Sequence, residues 1–168
     1  MKNKKGLSAI IATLMLILLT IVLVGIIWGV ISNMVKNNIE STSCIDSLGK
    51  INLNDRYTCY NASSNETQFS INIEDISVDK VLVGISVAGQ KRSLEITNEN
   101  KVVSNLKPYG GSYGDVVILP GKNEGMTYVY NISGAGFSAQ TPDSIEVAPV
   151  INGNKCDSSD SVVEVSGC

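Results

Sequence analysis

Between Leu7 and Ile31 the chain runs LSAIIATLMLILLTIVLVGIIWGVI, 25 residues without a charge. Coiled as a helix at about 1.5 Å per residue, this run is roughly 37 Å long, enough to cross a hydrocarbon core of about 30 Å with some tilt. A helix apolar on every side exposes too much surface to stand alone in water, so it must meet lipid or other helices like itself. The sequence behind it changes character, becoming rich in Ser, Asn, Thr, Gly and Val with turn signals at short intervals. The chain therefore reads as one anchor followed by one outside domain.

The 168 residues, less the apolar run, leave room for one compact domain of ordinary size. The net charge of −3 is divided unevenly. Lys2, Lys4, Lys5 and Lys36 flank the helix with no acid among them, which leaves 9 basic and 16 acidic residues, a charge of −7, on residues 37–168. Three lysines before the helix and one after it favour a cytoplasmic N-terminus and an exported C-terminal part. An acidic ectodomain argues against nucleic acid as a partner, because phosphate binding needs a basic surface.

All four cysteines, Cys44, Cys59, Cys156 and Cys168, fall on the exported side, where thiols are oxidised and stay so. They are read as two disulfides. Of the three connectivities, Cys44–Cys59 with Cys156–Cys168 is favoured, since each closes a short loop. There is no histidine and no C-x-x-C pair, so neither a zinc site of the usual spacing nor a Ser-His or Cys-His nucleophile is expected. No catalytic residue, cofactor or metal is expected anywhere in the chain.

A cleaved secretory signal would have an apolar core of about 7–15 residues, far shorter than this one. The junction itself, MKNKKGLSAIIATLMLIL, is informative. Lys4, Lys5, Gly6, Leu7, Ser8, Ala9, Ile10, Ile11, Ala12, Thr13 and Leu14 resemble the start of archaeal type IV pilins and their relatives the archaellins. In those proteins a short basic leader, a class III signal peptide, ends in Lys/Arg-Gly, and Ser-(Pro/Ala)-(Val/Ile)-Ile-Ala-Thr-Leu opens the helix. The resemblance covers about a fifth of the chain. It implies cutting by a membrane-embedded prepilin peptidase between Gly6 and Leu7, leaving residues 7–40 as the hydrophobic helix of the mature protein. Ile11 stands where bacterial type IV pilins carry glutamate, so a bacterial assembly register is not implied. Within the helix, Gly25 and Gly29 form G-x-x-x-G, a stripe that suits close helix–helix approach.

After Ile31, Met34, Val35 and Ile39 keep helical spacing to about Glu40, and Ser41-Thr42-Ser43 is read as the stop. Residues 41–168 then carry short β signals. The clearest are Thr67–Ile73, where Phe69, Ile71 and Ile73 alternate with Gln68, Ser70 and Asn72, and Val81–Val87, where Val81, Val83, Ile85 and Val87 share one side. Further strands are expected at Lys50–Leu53, Ser93–Thr97, Lys101–Leu106, Asp115–Leu119, Met126–Ile132, Ser144–Ile151 and Ser161–Val165, with a turn at Asn54-Asp55 and a second apolar piece around Tyr57–Tyr60. Asn152-Gly153 is the strongest hairpin turn, and Pro149 is expected to push its strand to an edge. Many short strands and no second helical period predict an α+β chain, a long helix followed by an antiparallel β-sandwich of immunoglobulin-like style.

Weaker signals remain. Lys107-Pro108-Tyr109-Gly110-Gly111-Ser112-Tyr113-Gly114 is glycine-rich, but no helix follows to make a phosphate site, and its tyrosines either pack over their own turn or face a sugar or a neighbouring subunit. Glu74, Asp75 and Asp79, like Asp157 and Asp160, are read as solvated turns. Sequons occur at Asn61, Asn65 and Asn131, in polar contexts on the exported side. The expectation is thus a non-enzymatic, pilin-like filament subunit, with the helix in the filament core as a homo-oligomer and the β-domain exposed for adhesion. The alternatives are an archaellin-type subunit and a non-polymerising, membrane-anchored adhesin.

Overall fold

The computed structural model describes residues 5–45 and 47–168. Lys2 and Lys4 of the expected leader lie outside the described residues. One helix, α1 (Lys5–Ile45), is followed by short strands. In chain order these are β1 (Ile51–Leu53), β2 (Cys59–Asn61), β3 (Glu66–Ile73), β4 (Lys80–Val87), β5 (Gln90–Thr97), β6 (Lys101–Val102) and β7 (Leu106–Pro108). Then come β8 (Val116–Val117), β9 (Glu124–Asn131), β10 (Ser144–Ile151), β11 (Asn154–Lys155), β12 (Asp160–Val163) and β13 (Ser166–Gly167). The chain is α+β, and its compact units divide between Ser41 and Thr42.

The helix runs five residues past the expected end at Glu40, through Ser41-Thr42-Ser43. Hydroxyl residues weaken a helix without breaking it, and no glycine or proline occurs between Val30 and Gly49. The chain turns where Gly49 takes a left-handed φ of +73°, with Ser47 N–H and Oγ both donating to the Cys44 carbonyl.

One sheet runs β13-β2-β3-β9-β7, with β1 sharing the β3 edge that β2 uses. A second runs β11-β10-β4-β5, with β12 also on β10, and β6 and β8 form a separate pair. All pairings are antiparallel except β13 beside β2. The alternation expected for β3 and β4 is realised: Phe69 and Ile71 from the first sheet and Val81, Val83 and Ile85 from the second are fully buried. They belong to one core cluster with Ile145, Val147 and Tyr128, so the inner faces of both sheets share a single interior. Phe69 and Tyr128, directly opposite in register, stack at 5.6 Å, and Tyr128 Oη donates to the Ile118 carbonyl at 2.6 Å, which satisfies its one polar atom.

The turn expected at Asn54-Asp55 is realised as a 3-10 turn at Asp55–Tyr57, capped by Asn54, and Cys59 and Tyr60 of the apolar piece lie in β2. Two local expectations change. The stretch Lys101–Leu106 is divided between β6 and the start of β7. Pro149 lies in β10, flanked on both sides, not on an edge. Its carbonyl accepts Cys156 N–H, so its missing N–H faces the side where β12 ends and β11 has not begun, and no bond to β4 is lost. Asn152-Gly153 does form the two-residue turn between β10 and β11, with φ of 53° and 78°.

The disulfides overturn the short-loop pairing. Cys44 joins Cys156 and Cys59 joins Cys168, separations of 112 and 109 residues. The reason lies in the strand order. β13 pairs parallel to β2 with Ser166 opposite Cys59, which carries the following Cys168 to that edge. The β10–β11 hairpin presents Cys156 to the last turn of α1.

Candidate functional site

Two surfaces stand out. The first is the helix itself. Ile10–Val35, 26 residues, is long and apolar enough to cross a membrane, and none of it is buried within the chain. Trp28 is 72% exposed. Thr13 and Thr20 donate their hydroxyls back to the carbonyls of Ile10 and Ile17 at 2.8 Å, so these two hydroxyls are satisfied within the helix. Gly25 and Gly29 lie one turn apart, and a Cβ built on either meets nothing within 4 Å. Gly6 and Leu7 lie in the first turn of α1.

The second surface is the outer face of the β2-β3-β9-β7 sheet. Directly opposite residues in neighbouring strands share a face, so Asn61, Glu66 and Asn131 form one row and Cys59, Gln68, Val129 and Lys107 another. Next to them the glycine-rich loop folds back. Tyr109 N–H donates to the Thr127 carbonyl, Gly111 N–H to the Pro108 carbonyl, and Ser112 N–H to Asp115 Oδ2. Gly110 has a left-handed φ of +79°, the conformation the turn requires.

Three side chains converge there. Tyr113 Oη donates to Glu66 Oε1 at 2.5 Å, Lys107 Nζ pairs with the same oxygen at 3.0 Å, and Nζ lies 4.4 Å from the Tyr113 ring centre. Burial raises the Glu66 pKa, but hydrogen bonds from Tyr113, Lys107 and Ser64 and the Lys107 charge outweigh it and hold the carboxyl below its ordinary value. Burial, then the bond to Glu66, pushes the Tyr113 phenol well above its usual range. Beside this triad opens a groove of about 550 Å³ lined by Asn61, Gln68, Lys107, Tyr109, Gly110 and Val129.

The sequons are not equivalent. Asn61 is exposed at the end of β2, its Oδ1 accepting Ser63 N–H. Asn65, half-buried with a φ of 53°, accepts from Tyr60 Oη. Asn131, also half-buried, accepts from Ser133 Oγ and Gly134 N–H. Of the carboxylates read as turns, Asp79 accepts Gly153 N–H, Asp160 accepts Leu53 N–H, and Asp75 faces Lys122 at 3.5 Å. Glu66 was not singled out from sequence. Its signal is its position as the first residue of a strand, and only the register brings it to the tyrosine loop.

Comparison of the chain with protein-family models, characterised proteins and solved structures finds no match.

Proposed function

We propose that this chain is a pilin-type structural subunit of an archaeal surface filament. In this reading its N-terminal helix is released from a short basic leader and bundled with copies of itself, while the β-domain coats the outside. The observation that carries the proposal is the uninterrupted apolar stretch of α1, exposed on every side over Ile10–Val35, in a chain whose apolar run follows directly on Lys4-Lys5-Gly6. Charges attached to its start resist entry into hydrocarbon and hold the subunit in the membrane. Once they are removed, side-by-side bundling buries the apolar surface at about 25 cal/mol per Å². The disulfides suit an oxidising, extracellular setting for residues 42–168. The two sheets with their common core are read as an immunoglobulin-like sandwich.

The partners in this reading are the membrane, a prepilin peptidase and further copies of the chain; Asn61, Asn65 and Asn131 are glycan acceptors, and no enzymatic activity is assigned. A second reading, a membrane-anchored adhesin that never polymerises, is favoured by the groove beside Tyr109.

The processing step gives the test. Intact mass and N-terminal sequencing of the native protein are expected to show a chain that begins at Leu7. A mature chain beginning at Met1, in cells that make a prepilin peptidase, would exclude the pilin reading and leave a plain anchor.

A further inference from the structure

We propose that the groove on the outer face of the β2-β3-β9-β7 sheet is a binding site for a neutral saccharide, with the Tyr109 ring as its stacking platform. Three observations carry this. Tyr109 is 67% exposed although its backbone N–H donates to the Thr127 carbonyl and the turn after it is closed, so the ring projects from a fixed backbone. Aromatic rings set this way combine a large apolar face with a polar tip, the surface on which the C–H face of a sugar ring rests.

The charged side chains in the groove, Lys107 and Glu66, are already matched. Lys107 and Glu66 neutralise one another at 3.0 Å, and both are largely shielded by the Tyr113 loop, at 21% and 22% exposure. Binding an anion or a cation would mean breaking that pair, and removing one partner from a shielded pair is costly. Apart from that pair, the side chains that line the groove are uncharged. Gln68 uses its amide nitrogen on the Tyr57 carbonyl and keeps its oxygen, while Asn61 uses its oxygen on Ser63 N–H and keeps its nitrogen. Among the described residues these two atoms have no partner, so where Asn61 carries no glycan on that nitrogen they give one acceptor and one donor beside an aromatic face, which match hydroxyls and a ring, and a few well-placed polar groups around an apolar contact are the usual make-up of such sites.

Saccharide can reach the groove from two sources, because Asn61 is both a groove residue and the exposed sequon. It can come from the glycan on Asn61 of the same chain or from a free or cell-surface oligosaccharide. The site stands whether the subunit polymerises or stays anchored, so its failure leaves the filament reading untouched.

The test uses the full chain in lipid nanodiscs, free of sugar detergents, and saturation-transfer NMR with chitotriose, maltotriose and laminaritriose, and trigalacturonic acid as the charged counterpart. At least one neutral trisaccharide is expected to receive saturation, with the signal falling about fivefold in Tyr109→Ala, restored in Tyr109→Phe, and unchanged in Val102→Ala on the β6–β8 pair. Ser63→Ala removes the sequon and leaves Asn61 in place. Binding seen only in that variant assigns the groove to the chain's own glycan, and binding in both assigns it to an external sugar. The proposal is overturned if no neutral trisaccharide responds in either the native or the Ser63→Ala protein. A response that Tyr109→Ala retains, or one confined to trigalacturonic acid, overturns it equally.

Discussion

On the proposed filament reading, replacing Gly25 or Gly29 by leucine is expected to abolish surface filaments while leaving the processed subunit in the membrane. Within one chain the change is harmless. A Cβ at either position meets nothing within 4 Å, and leucine favours the helix over glycine by about 0.8–1 kcal/mol. Leucine also favours membrane insertion. Any loss must therefore come from a second helix, and small residues four apart are where two helices approach most closely. A leucine there holds the axes apart along the length of the contact. Electron microscopy of cells carrying each variant decides the matter, with a membrane-fraction immunoblot to confirm that the subunit persists. Unaltered filaments in both variants would take the glycines out of the contact.

The second large effect concerns Cys44–Cys156. Exchanging both for alanine is expected to destabilise residues 42–168 by roughly 3.5 kcal/mol, because with Cys59–Cys168 intact the shortest covalent ring the bond closes runs from Cys44 to Cys59 and from Cys156 to Cys168, about 27 residues. Removing Cys59–Cys168 alone opens the same ring and is expected to cost as much. A domain of this size has about 5–15 kcal/mol in all, so losing either bond removes a large share. Guanidinium unfolding of the full chain in phosphocholine micelles, followed by the near-ultraviolet signal of its tyrosines, measures the difference. A loss under about 1 kcal/mol, or a non-reducing peptide map that joins Cys44 to Cys59, would contradict the pairing.

What was legible in the sequence was local and periodic. The alternation of Phe69, Ile71 and Ile73 and of Val81, Val83, Ile85 and Val87 located β3 and β4 and their buried faces, because a strand's two sides follow from a period of two. Asn152-Gly153 located a hairpin because both residues tolerate a left-handed backbone.

What was not legible depended on which strands become neighbours. The favoured disulfides assumed that nearby cysteines meet, yet the parallel contact of β13 with β2, set by residues more than 100 positions apart, decides the partner of Cys59. Glu66 was overlooked for the same reason, since nothing around it in the chain points to Lys107 and Tyr113. Pro149 was assigned to an edge by a rule that concerns its N–H, and the rule is obeyed differently, by a gap between β12 and β11. The helix overran Ser41-Thr42-Ser43 because hydroxyl residues favour a stop without enforcing one.

The most direct measurement of the central claim is immunogold electron microscopy of filaments sheared from cells, using antibody raised against residues 42–168. The account predicts gold along the full length of the filaments. Gold confined to the cell envelope, with the sheared filaments unlabelled, would contradict it.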